Sequence, residues 1–200
     1  MTRRLVLASA SPGRLATLRA AGVEPDVVVS GVDEEGVDGS PAEIALELAR
    51  RKAAAVAPAR PLDLVLGCDS VLDFDGVAHG KPATADEAVA RWRSMRGHEG
   101  VLHTGHCLAA DGRLDTRLAS TRVRFAELSD AEIDAYVATG EPLRVAGAFT
   151  LDSLGGWFLE GIDGSPSNVV GLSLPLLRRM LADHGVGVAD LWAAQPAQTR

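Results

Sequence analysis

Two Asp-Gly pairs constrain this 200-residue chain more than any other feature. Asp75-Gly76 separates the apolar runs Val71–Phe74 and Val77–His79, and Asp111-Gly112 joins Val101–Ala110 to Leu114–Phe125. Asp-Gly supplies two residues that tolerate positive φ, which the tight turn of an antiparallel hairpin requires. A chain with such hairpins is not a purely parallel, doubly wound sheet. Helix signals are interleaved with the strands. Ser40 caps a helix from Pro41 to about Val56, with proline at the first helical position and Glu43 at the third. Arg14–Ala21, Asp86–Arg96, Asp130–Thr139 behind Ser129, and Leu174–His184 read as further helices. Leu5–Leu7, Asp26–Ser30 and Leu62–Cys68 read as strands. The expected class is therefore α/β, a mixed sheet with flanking helices.

This length supports one sizeable core, or one domain of two lobes around a cleft. The formal net charge of −7 argues against general nucleic-acid binding, which needs clustered Lys and Arg. Cys68 and Cys107 lie in apolar runs without metal-ligand spacing and read as buried free thiols, a weak pointer to a reducing compartment. No apolar run approaches a membrane span, and Leu5–Ala8 is too short for a signal-peptide core, so the expectation is a cytoplasmic protein. Ala193–Arg200 reads as a flexible tail.

Four places could carry chemistry. Ser9-Ala10-Ser11-Pro12-Gly13-Arg14 turns a buried strand into a helix, so backbone N–H groups, hydroxyls and a guanidinium could hold phosphate there, although a serine-rich turn with a capping hydroxyl is the plainer local reading. Asp33-Glu34-Glu35 could ligate a hard divalent cation or be a solvated acidic loop. Asp69 follows a strongly apolar strand and is expected at the sheet's rim, as a metal or water partner or as a turn cap. Gly80-Lys81-Pro82 places a lysine between two backbone punctuators, as a phosphate ligand or an exposed turn residue. Lys52 adds a cation late in the long helix. The histidines have no zinc spacing, and neither a nucleophile elbow nor a dinucleotide fingerprint is present.

In this order, eight segments resemble the Maf family of nucleotide pyrophosphatases. They are Leu7–Arg14, Val32–Glu34, Leu48–Ala53, Gly67–Val71, Gly80–Pro82, His103–Gly105, Ala146–Phe149 and Val169–Pro175. The resemblance implies one domain over 1–192, with a fold similar to the inosine-triphosphate pyrophosphatases, elongated and two-lobed around a cleft. It implies a homodimer and hydrolysis of nucleoside triphosphates to the monophosphate and pyrophosphate, with Mg, Mn or Co as the divalent cation. Asp69 matches the family's proton acceptor, and Glu34 matches an acidic residue that helps hold metal or water. Metal would then lie with Glu34 and Asp69. Ser9, Arg14, Lys52 and Lys81 match phosphate-binding positions.

The chain departs from the family pattern at Gly13, often arginine; at Ser70, often threonine; and at Asp152, glutamine in many pyrimidine-preferring members. These positions are linked to base choice. Val145 stands where a lysine is common. The family's association with arrest of septum formation supplies a rival, a nucleotide-binding regulator without turnover. A general phosphatase is a third reading, which orthophosphate release would distinguish.

Overall fold

A computed structural model describes residues 3–193. In chain order the elements are β1 (Leu5–Leu7), α1 (Pro12–Ala20), β2 (Asp26–Val27), α2 (Pro41–Val56), β3 (Leu64–Phe74), β4 (Val77–His79), α3 (Ala85–Met95), β5 (Glu99–Ala110), β6 (Arg113–Phe125), α4 (Asp130–Ala138), β7 (Leu159–Asp163), α5 (Pro166–Val170), α6 (Leu174–Asp183) and α7 (Val188–Ala193). Ala193 ends a helix, and the rest of the expected tail lies outside the described residues.

The strands form one mixed sheet in the order β2-β1-β3-β5-β6-β7, with β4 also paired to β3. β1 runs parallel to β2 and β3, and the other pairings are antiparallel. Both Asp-Gly turns form as expected. Asp75 and Gly76 have φ of 52° and 77°, and Asp111 and Gly112 have 53° and 73°, the doubly positive pattern whose twist matches the flanking strands. Ser40 with Glu43 and Ser129 with Glu132 form capping boxes. Cys68 and Cys107 are free and buried.

The expectation for β3 needs correction. It begins at Leu64, not Leu62, and continues through Asp69 to Phe74. Asp69 is therefore mid-strand, paired with Gly105 of β5, and only 8% exposed. The apolar run stops at Asp69, but strand alternation does not. Leu64, Leu66, Cys68 and Leu72 join apolar clusters on one face, whereas Val65 joins a different cluster with α2 on the other. β2 is shorter than expected, α1 starts earlier, at Pro12, and α5 and α7 were not anticipated.

β5 pairs with β3 along Val65–Asp73. On the opposite side of β3, β1 covers Leu64–Leu66 and β4 covers Leu72–Phe74. Among the described residues no strand covers Gly67–Val71 on that side. This notch leaves Asp69 and Ser70, whose side chains point to opposite faces, joined around an open strand edge.

Helix α2 lies almost in contact with the sheet because two glycines let it. A Cβ on Gly67 would collide with the Ala49 carbonyl and the Ala53 amide, and one on Gly105 with the Ala45 carbonyl. Ala45, Ala49 and Ala53, four residues apart, present a ridge of small side chains to these glycines. The same helix face carries Lys52 to Asp69. Gly105→Ala is expected to cost about 3 kcal/mol, the upper range for overpacking. That would lower Tm by roughly 6–12 °C, as thermal unfolding would measure.

Candidate active site

Lys52 is the centre of the cluster. Its Nζ lies 2.5 Å from Asp69 Oδ1 and 2.6 Å from Glu34 Oε1. Its side chain is 8% exposed, Asp69's 12%, and Glu34's 56%, so the pairing brings an exposed loop carboxylate down onto a buried lysine. Burial pushes the Glu34 carboxyl's pKa up. The Lys52 hydrogen bond and the charges of Lys52, Lys81 and Arg14 outweigh it and hold the group below its ordinary value. Glu34 is thus ionised at neutral pH, and three cations act on one carboxylate.

Arg14, in the first turn of α1, is 7% exposed and held from three directions. Its Nε donates to the Gly171 carbonyl (2.9 Å), Nη1 to Ser9 Oγ (3.0 Å) and Nη2 to Ser70 Oγ (3.1 Å). Ser9 Oγ also accepts from the Ser11 amide. A guanidinium has five N–H donors, so two remain for an anion at the α1 N-terminus.

The Ser70 hydroxyl continues into the protein. It lies 3.0 Å from Thr104 Oγ1, which donates to the Asn168 carbonyl at 3.3 Å. Asn168 Nδ2 donates to Leu102 O, Ala119 O and Thr121 Oγ1, tying α5 to β5 and β6. These buried polar groups separate an apolar cluster around β1, α1 and α6 from another around α3 and α4. Thr104 and Asn168 were not singled out from sequence as individual functional residues. A threonine in an apolar strand and an asparagine in a short serine-proline helix carry no local signal beyond a buried polar group that needs partners.

Lys81 is exposed after β4. Its turn is fixed through the Gly80 carbonyl, which accepts from the Gly147 amide (3.1 Å) and Arg91 Nη1 (2.6 Å). Gly13 lies in the first turn of α1, where an added Cβ would sit 3.1 Å from the Val170 carbonyl. Asp152 is exposed on a bend, and among the described contacts none joins it to the cluster. The structure therefore brings together Ser9, Arg14, Glu34, Lys52, Asp69, Ser70 and, through its charge, Lys81. Gly13 flanks them, and Asp152 stands apart.

His106 lies behind Thr104, fully buried. Its Nε2 accepts from the Ser173 amide (2.8 Å), so Nδ1 carries the proton to the Thr104 carbonyl (3.0 Å). Burial drives its pKa from 6.5 to about 4. As pH falls, the unfolded chain takes up this proton first. The stability from the neutral ring is complete above pH 6.5 and is lost as pH falls towards 4, by on the order of 3 kcal/mol. Urea unfolding across this range should fall more steeply for the native protein than for His106→Gln.

No helix among the described residues is long and apolar enough to cross a membrane. A model of the family described as Maf-like protein matches residues 4–184. The chain is 61% identical over 196 residues to a nucleoside triphosphate pyrophosphatase of Streptomyces coelicolor, covering 96% of this chain and 95% of that protein. It is 60% identical over 198 residues to a protein of the same name from Salinispora tropica, covering 95% and 88%. It is 54% identical over 205 residues to another from Rhodococcus jostii, covering 94% and 96%. With a family match spanning most of its length and these relatives aligned nearly end to end, the chain belongs to the Maf family.

Proposed function

We propose that this protein hydrolyses nucleoside triphosphates to the monophosphate and pyrophosphate. The observation that carries this reading is Lys52 bridging Glu34 and Asp69, with the charges of Arg14 and Lys81 also reaching Glu34. Three cations give an acidic protein a local anion site. Carboxylates beside a polyanion repel it, so their presence there points to work on a cation or a water. The names of the similar proteins agree with the reading.

In this proposal Ser9, Arg14, Lys52 and Lys81 hold phosphate oxygens. Grip on the β- and γ-phosphates neutralises charge developing on the pyrophosphate leaving group, the main demand of phosphoryl transfer. Asp69 orients a water and takes its proton as the water oxygen attacks the α-phosphorus and the bond to the bridging oxygen breaks. The donor set suits a divalent Mg, Mn or Co ion. Glu34 and Asp69 already share one cation, and hard ions of this kind are held by one or two carboxylates plus substrate phosphates. Among the described residues no group of three or more His, Cys, Asp or Glu is placed to hold a metal by itself. When bound, such an ion supplies positive charge to phosphate oxygens and acidifies water.

Gly13, Ser70 and Asp152 would then bear on base choice. Residues 1–192 would act as one unit, with substrate in a cleft between two lobes. The notch in β3 and the two apolar clusters on either side of the polar seam support that arrangement. The homodimer is proposed from the family resemblance, and a cytoplasmic location remains the expectation from the sequence.

The test is product analysis on a panel of normal and modified triphosphates with Mg²⁺, Mn²⁺ or Co²⁺. Pyrophosphate and monophosphate are expected. Asp69→Asn should lower turnover by roughly 10²–10⁴-fold, and Lys81→Ala by roughly 10–100-fold, the worth of one charge-assisted contact, each with the fold intact. Near-normal turnover in either would overturn the site. Nucleotide binding without turnover under any metal would favour the regulator. Gly13→Arg or Asp152→Gln should shift base preference more than rate, and no shift in both would remove those positions from specificity.

A further inference from the structure

Eighteen of the twenty basic residues of this chain are arginines, and the only two lysines are Lys52 and Lys81. A chain that uses arginine almost everywhere else keeps a lysine between its two site carboxylates. An arginine there would hold a carboxylate through a planar, two-pronged contact. An ammonium is a compact point charge on a flexible stem, so it can leave. Its Nζ touches Asp69 at 2.5 Å and Glu34 at 2.6 Å, spending two of its three donors on the oxygens that would ligate a metal. A divalent cation bound to those oxygens would lie against this ammonium, and like charges at such separation repel strongly at the low polarity of a buried site.

We propose that Lys52 is an internal stand-in for the metal, with ammonium and divalent cation excluding one another between Glu34 and Asp69. The inference rests on the metal-dependent reading above and adds a new role for this residue. In the nucleotide-free protein the lysine neutralises the carboxylates and keeps metal affinity low. When a triphosphate enters at the notch, its oxygens offer the ammonium a new partner, and the carboxylates become free for the cation. Metal and triphosphate therefore strengthen each other's binding, as linkage requires. The close seating of α2 on Gly67 and Gly105 fixes the lysine backbone while the stem swings.

The experiment is a Mn²⁺ titration of nucleotide-free protein, reading free Mn²⁺ by electron paramagnetic resonance. Lys52→Gln, which removes the charge, should bind Mn²⁺ roughly tenfold or more tightly than the native protein, while Lys52→Arg should bind no more tightly. Equal or weaker binding by Lys52→Gln would overturn the proposal. A second measurement needs no variant. With ¹³Cε-labelled lysine the protein has two side-chain signals to follow, and saturating Mg²⁺ should shift that of Lys52. A Lys52 signal unmoved by bound Mg²⁺ would also overturn it. Pyrophosphate release by the native protein, measured alongside, separates the two readings. If release is seen but Lys52→Gln gains no affinity, only the stand-in role falls. If no release is seen, the hydrolase reading falls and takes this one with it.

Discussion

The site depends on how closely α2 approaches β3 and β5. Gly67 and Gly105 remove the side chains that would hold the helix off, and Ala45, Ala49 and Ala53 remove them from the helix. Only then does a lysine rooted on α2 reach a carboxylate in the middle of β3. The contact is costly in isolation, because burying a lysine and an aspartate sacrifices hydration that their attraction need not recover. Glu34 lessens that cost by adding a second carboxylate from the exposed loop. The arrangement makes sense as a site held ready for charge, since apolar residues of similar volume would stabilise the same helix–sheet contact at least as well.

A second constraint is the notch. β1 ends at Leu7 so that the chain can turn into α1 and present Ser9, Ser11 and Arg14, and β4 is short enough to end before Lys81. The uncovered length of β3 between them lets groups from both faces of the sheet meet around its edge. On one face stand Lys52 and Asp69, on the other Arg14 and Ser70. The polar seam through Thr104 and Asn168 keeps the Arg14 face rigid, because each hydroxyl in the chain from Arg14 to Asn168 both accepts and donates.

Local chemistry made much of this fold legible. The Asp-Gly turns, the capping boxes at Ser40 and Ser129, and the apolar strands each declare themselves within a few residues. The site was legible differently. Ser9, Arg14, Glu34, Lys52, Asp69 and Lys81 became a set through their resemblance to a family, since each had a bland explanation alone. What stayed hidden depends on long-range register. Asp69 looked like a strand terminus because polarity interrupts an apolar run, and only pairing with β5 shows the strand continuing to Phe74. That Lys52 reaches both carboxylates, and that Thr104 and Asn168 support Ser70, follows from contacts between residues 17 to 64 positions apart.

The central step of the proposed reaction is water attacking the α-phosphorus while cations hold the departing pyrophosphate. Hydrolysis of a good triphosphate substrate in ¹⁸O-labelled water, with both products weighed by mass spectrometry, tests this directly. The label is expected in the nucleoside monophosphate, with pyrophosphate unlabelled. Label in the pyrophosphate would mean attack at the β-phosphorus, and would contradict the placement of Asp69 and its water.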